Sequence, residues 1–117
     1  MEYMLLIYGD PAESKKMTPA EQGEMFQGYM TFTQELTKSG KNKGGAPLES
    51  ASTATTVRVR NGKTTVMDGP FAETKEQLGG YYLVEAKDLD EAISIAARIP
   101  GAKVGSIEVR PVMKINM

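Results

Sequence analysis

A two-layer α+β sandwich is the fold class this sequence predicts, and three observations carry the prediction. Strand-like apolar segments and amphipathic helix patterns follow one another as strand, helix, strand, strand, helix, strand, the order of a split βαβ unit used twice. An Asn61-Gly62 pair between two alternating runs marks a β-hairpin inserted between the second and third of those strands. At 117 residues, with 40% hydrophobic and 25% charged side chains, the chain is long enough for one domain with its own core and too short for two. We therefore read residues 1–117 as a single domain.

The elements follow in order. Tyr3-Met4-Leu5-Leu6-Ile7-Tyr8 is a short apolar run closed by Gly9-Asp10-Pro11, a central strand covered on both faces. Thr18-Pro19-Ala20-Glu21 supplies an N-cap, a proline at the first helical position and a glutamate placed to reach back as a capping box. From there Met25, Tyr29, Phe32 and Leu36 recur at helical spacing, with Phe26, Met30 and Thr33 beside them, up to Ser39-Gly40. The stripe predicts an amphipathic helix of about five turns. A weakly patterned strand falls around 44–48. Thr53 to Arg60 alternates, with Val57 and Val59 on one face and Arg58 and Arg60 on the other, and after Asn61-Gly62 the run Lys63-Thr64-Thr65-Val66-Met67 completes the hairpin, because a type I′ turn needs positive φ at both central positions.

Residues 72–78 are polar and read as a loop or a short turn of helix. Gly79-Gly80 leads into Tyr81-Tyr82-Leu83-Val84-Glu85-Ala86, a buried strand, and Asp88 caps an alanine-rich helix through Ala92, Ile93, Ala96, Ala97 and Ile99 that Pro100-Gly101 stops. Residues 106–113 form the last strand. The topology is a ferredoxin-like sandwich, βαββαβ with the hairpin added. Two helices cover one sheet face and nothing in the sequence is left for the other, although Leu6, Tyr8, Tyr82 and Val84 put apolar residues on both faces. A second copy is expected to bury the bare face, making a homodimer.

Composition removes much chemistry. There is no cysteine and no histidine, so thiolate nucleophiles, Cys/His zinc sites, catalytic triads with histidine and imidazole acid–base steps are excluded. A net charge of −1, spread without a basic stripe, argues against a nucleic-acid partner. No run near the N-terminus has the length of a signal or membrane segment, which points to the cytoplasm and away from membranes. The sequence shows no cluster of carboxylates for a metal and no cofactor fingerprint: Gly44-Gly45 and Gly79-Gly80 fit neither a P-loop nor a dinucleotide motif, and are better explained by close backbone approach or a strand bulge.

The stretch Asp68-Gly69-Pro70-Phe71-Ala72-Glu73-Thr74-Lys75-Glu76-Gln77-Leu78-Gly79-Gly80-Tyr81-Tyr82 resembles the signature of the DGPF-type branch of the YCII-related family, and flanking segments at residues 3–8, 54–58 and 107–112 agree with it. The resemblance implies a dimeric α+β barrel in which two ferredoxin-like protomers pack sheet to sheet. It also implies small bacterial proteins of uncertain activity, some linked to extracytoplasmic-function sigma factors. A histidine on the first helix, paired with an aspartate, is the family's candidate catalytic dyad. Counting back from Gly45-Ala46-Pro47, the histidine position falls on Tyr29, a poor general base at neutral pH.

Each candidate has a bland alternative. Asp68 is either an Asx-turn residue bonded to the backbone at 69–71 or the polar anchor of a pocket. Glu73, Lys75 and Glu76 are either a solvated cluster or, through Lys75, a cation facing an anionic ligand. Tyr29 is either a core phenol or a proton carrier. Arg58 is either one of an outward row paired with acids or an anion contact. The sequence thus predicts catalytic roles for Asp68 and Tyr29 and ligand contacts for Lys75, Arg58 and Glu73. The favoured expectation is a module that binds a small molecule or a sigma-factor-linked regulator near Asp68. The alternative is a small-molecule lyase, isomerase or hydrolase.

Overall fold

The computed structural model describes residues 1–116. Eleven elements run β1 (Glu2–Gly9), α1 (Pro11–Lys15), α2 (Pro19–Lys38), β2 (Asn42–Pro47), a 3₁₀ turn (Ala51–Thr53), β3 (Thr55–Arg60), β4 (Lys63–Asp68), β5 (Gln77–Glu85), α3 (Leu89–Ala97), a second 3₁₀ turn (Pro100–Lys103) and β6 (Ser106–Pro111). The main sheet is antiparallel with order β2-β5-β1-β6, the ferredoxin-like arrangement expected, and β3 and β4 pair with each other in a separate two-stranded sheet. No helix among the described residues is long and apolar enough to cross a membrane.

Local chemistry places the helices where the caps do. The Thr18 hydroxyl accepts from the Glu21 N–H at 3.1 Å while the Glu21 carboxylate accepts from the Thr18 N–H at 2.9 Å, so the capping box is reciprocal and α2 begins at Pro19. Bonding to Thr18 also holds the Glu21 carboxyl below the ordinary carboxylate range. At α3, Asp88 accepts from the Glu91 N–H at 2.9 Å and the Glu91 carboxylate accepts from the Lys87 N–H at 3.0 Å. Helix α1 has no counterpart in the expected order. Asp10, read as part of a turn, accepts from the Ala12 N–H at 2.9 Å and so starts one helical turn at Pro11.

The core lies between the helices and one sheet face. Leu5, Leu36, Val84 and Ile99 are sealed, with Tyr3, Phe32, Ala92, Ile95 and Ala96 packed around them. Register explains the sorting: Tyr3 opposes Val84 and Leu5 opposes Tyr82 on the helix-covered face, whereas Met4 opposes Leu83 and Leu6 opposes Tyr81 on the other. The helix-free face therefore carries Met4, Leu6, Tyr8, Tyr81 and Leu83, each half-buried. Between Ile7 and Tyr8 the register shifts so that Gly79 is the extra residue of a β-bulge, which explains the Gly79-Gly80 pair and starts β5 at Gln77, two residues before it.

The hairpin is built as the Asn-Gly signal requires. Asn61 and Gly62 both have positive φ, 53° and 74°, and Arg60 pairs with Lys63 across them. Beyond that turn the arm meets little. Of its two strands only Thr56 is even half-buried.

Candidate functional site

The sequence-predicted residues divide into two places. Tyr29 points from α2 onto the second 3₁₀ turn, where a Cβ built on Gly101 would come within 2.5 Å of the Tyr29 hydroxyl and 3.3 Å of the Ile7 side chain. Only glycine leaves room for the phenol there. Burial pushes the Tyr29 hydroxyl pKa up; the Gly101 backbone N–H facing the oxygen opposes that rise, and the neighbouring Tyr82 phenol adds to it. A phenol is protonated at neutral pH, and the upward shift takes Tyr29 further from serving as a base, so it acts as a hydrogen-bond donor.

Around it the polar groups are hydroxyls. Tyr82 and Thr33 share a hydrogen bond of 2.6 Å across the sheet–helix interface, and the Tyr82 ring meets Phe32 edge to face at 5.0 Å. Neither charged side chains nor unpartnered buried polar atoms occur in the core among the described residues. Tyr29 itself donates to no side chain or carbonyl among the hydrogen bonds of the described residues and is half-exposed, so its proton is free for a ligand.

The second place is the base of the hairpin. Asp68 ends β4 opposite Thr55, exposed; the Gly69 N–H donates to the Ala54 carbonyl at 2.7 Å, the Gly69 carbonyl accepts from the Thr56 hydroxyl at 2.8 Å, and Pro70, two residues on, has no N–H to close an Asx turn. Backbone and threonine bonds therefore make this corner, and the Asp68 carboxylate is left in solvent. Arg58, Glu73 and Lys75 are likewise exposed, and none of them, nor Asp68, forms an ion pair among the described residues. In the neighbouring cluster it is Glu76 that is engaged: its carboxylate accepts from the Ser106 hydroxyl at 2.8 Å and ties the loop to the start of β6. Arg110 pairs with Glu108 at 3.0 Å, as an outward strand row allows. No hydrogen bond or ion pair joins Tyr29 to Asp68. Sequence reasoning did not single out Gly101, Thr33 or Tyr82. A glycine after the proline that stops α3 was the one available signal for Gly101.

Among the described residues no three carboxylates converge on a point that could hold a metal ion. An open groove of about 550 Å³ runs along the outer side of α2, lined by Met25, Phe32, Glu35, Arg98 and Pro100 among others.

Compared with known proteins, the sequence matches the YCII-related domain over residues 1–116. The chain belongs to the YCII-related family. This YCII-related chain is 38% identical over 113 residues to an uncharacterised protein of Rhizobium meliloti (strain 1021), covering 95% of this chain and 91% of that protein. Its fold is similar to that of 5-chloro-2-hydroxyhydroquinone dehydrochlorinase (TftG) from Burkholderia phenoliruptrix AC1100, solved in complex with 2,5-dihydroxybenzoquinone, with a TM-score of 0.59 at 16% identity, covering 97% of this chain and 94% of that one. The YCII-related domain thus fills the described chain, and the likeness to the dehydrochlorinase is one of fold.

Proposed function

We propose that this YCII-related protein binds a small oxygenated molecule at Tyr29, as a homodimer closed through the helix-free sheet face. One observation carries the binding site: a half-buried phenol whose hydroxyl donates to no protein acceptor among the described residues, with Thr33, Tyr82 and Phe32 beside it. A neutral donor next to hydroxyls and an aromatic edge suits carbonyl or phenolic oxygen on a flat ring, because it offers hydrogen bonds without requiring a buried counter-charge. The charged residues at the hairpin base, Arg58, Asp68, Glu73 and Lys75, stand outside this site in the proposal and contribute at most weak steering of an anionic ligand.

A second reading is catalysis on such a molecule, favoured by the activity named for the fold relative. Tyr29 would then serve as general acid, giving its proton to a developing oxyanion. Contact with a sigma-factor-linked regulator rests on the family resemblance alone.

The test uses 2,5-dihydroxybenzoquinone as probe, titrated by calorimetry into wild type, Tyr29→Phe, Gly101→Ala and Asp68→Asn. Tyr29→Phe keeps the ring and removes the donor, so binding is expected to weaken about tenfold, the equivalent of one hydrogen bond of about 1.4 kcal/mol, with an unchanged melting temperature. Gly101→Ala displaces the phenol and is expected to weaken binding at least as much. Loss of binding in Asp68→Asn with retention in Tyr29→Phe moves the site to the hairpin base and overturns the assignment to Tyr29.

A further inference from the structure

Compactness separates this molecule from an ordinary monomer. A chain of this length packs to a radius of gyration of about 13 Å. Here it is 16.3 Å, with extents of 47 × 46 × 19 Å. The accessible surface is 8596 Å². A monomeric protein of this mass exposes about 6,200 Å², so the protein carries an excess of about 2,400 Å². That excess is larger than the roughly 800 Å² each partner buries in a standard stable interface.

Part of the exposed apolar surface lies on and beside the arm. Leu48, Val57, Val59, Val66, Met67 and Phe71 are exposed large apolar residues within one 24-residue stretch that contains the arm; Phe71 is 77% exposed and Val66 63%. Pairing of Val57 with Val66, and of Val59 with Thr64, puts the three valines on one side of the arm, with Asp68 at its base, while Arg58, Arg60, Lys63 and Met67 share the opposite side. An isolated two-stranded hairpin is marginal in water and needs a packing surface. The same chain owns one of matching chemistry, the helix-free face with Met4, Leu6, Tyr81 and Leu83.

We propose that the β3–β4 arm is a clasp: its Val57, Val59 and Val66 face packs against the sheet of a second copy of this chain, extending the seam between the two helix-free faces. The arginine and lysine side remains in water and keeps the arm from pairing edge to edge indiscriminately. The proposal rests on the homodimer of the preceding reading and adds which part of the partner closes it. A clasp also accounts for the Asn61-Gly62 tip, which reverses the chain in two residues and keeps the arm narrow enough to lie in a seam.

The experiment combines sedimentation with cross-linking. The wild type and Val57→Lys/Val66→Lys are sedimented over a range of concentrations. In parallel, a photoreactive benzophenone side chain at position 59 is irradiated in a mixture of ¹⁴N- and ¹⁵N-labelled protein. The expected result is a wild-type dimer, a dissociation constant at least tenfold weaker in the double variant with unchanged circular dichroism, and mixed-isotope cross-links onto strands β1 or β5. A wild type that is monomeric at every concentration overturns the homodimer and the clasp together. A wild-type dimer whose cross-links stay within one chain or reach the helices of the partner, or a double variant that associates as wild type does, overturns the clasp and leaves the homodimer standing.

Discussion

The main sheet and the β3–β4 arm sort their side chains by the same two-residue strand period and have opposite fates. In β1 and β5 the alternation sorts Tyr3, Leu5 and Val84 into a sealed layer under α2 and α3, with Leu5 and Val84 at 0% exposure. In β3 the Val57-Arg58-Val59 alternation leaves Val57 60% exposed. Period-two patterning therefore specifies which residues share a face, and says nothing about whether another layer meets that face. The stability of the two regions differs accordingly: burial holds the sandwich, whereas the turn and the ladder of backbone bonds hold the arm.

The sharpest way to break this comparison is to truncate one side chain in each region. Leu36→Ala removes a fully buried side chain between α2 and the sheet, and chemical denaturation is expected to show a loss of about 2–5 kcal/mol. Val57→Ala, measured at concentrations too low for self-association, is expected to stay within about 0.5 kcal/mol of wild type. A rise in the Val57→Ala cost with protein concentration would sharpen the comparison further, since it reports a surface that is buried only in the assembly.

Next in size is Gly62→Val. A β-branched residue at φ 74° is strained by about 1–3 kcal/mol, and the arm has no buried layer to hold it in place. Hydrogen exchange is expected to speed up at β3 and β4 amides and stay unchanged at β1 and β5. Equal acceleration in both sheets would show that the arm is coupled to the core.

The smallest effect concerns Tyr29 and appears only in alkali. Burial raises its pKa above the unfolded value near 10, so the folded state keeps its proton while the unfolded chain ionises. Its contribution to stability is complete below pH 10 and is lost as pH rises through the folded pKa. Denaturation midpoints measured up the alkaline limb should fall more steeply for wild type than for Tyr29→Phe, and parallel curves would show that the phenol is no more protected in the folded state than in the unfolded.

Much of this was legible in the residues. The capping box at Thr18 and Glu21, the Asp88 cap, the Asn61-Gly62 turn and the strand alternation are local events, decided within four or five residues by backbone hydrogen-bonding needs and by the φ a side chain tolerates, and each stands where the sequence puts it. Helix α1 escaped notice because a single turn has too few residues to show a period. The YCII-related signature was readable too. The surroundings of its residues were not, because burial, hydrogen-bond partners and free protons arise from segments far apart in the chain. Burial raises the Tyr29 pKa, Tyr82 adds to the rise and Gly101 opposes it, and those last two lie 53 and 72 positions away in the sequence. Asp68 stays in water: the Ala54 carbonyl, reached across the hairpin base, takes the Gly69 N–H, and Pro70 has no N–H to offer the carboxylate. By itself the sequence determined the elements, their order and the two-faced sheet, since those follow from local sterics and periodicity. Only the tertiary structure decided how far the Tyr29 hydroxyl is desolvated and which valines remain without a layer, since desolvation depends on what the rest of the chain brings to each face.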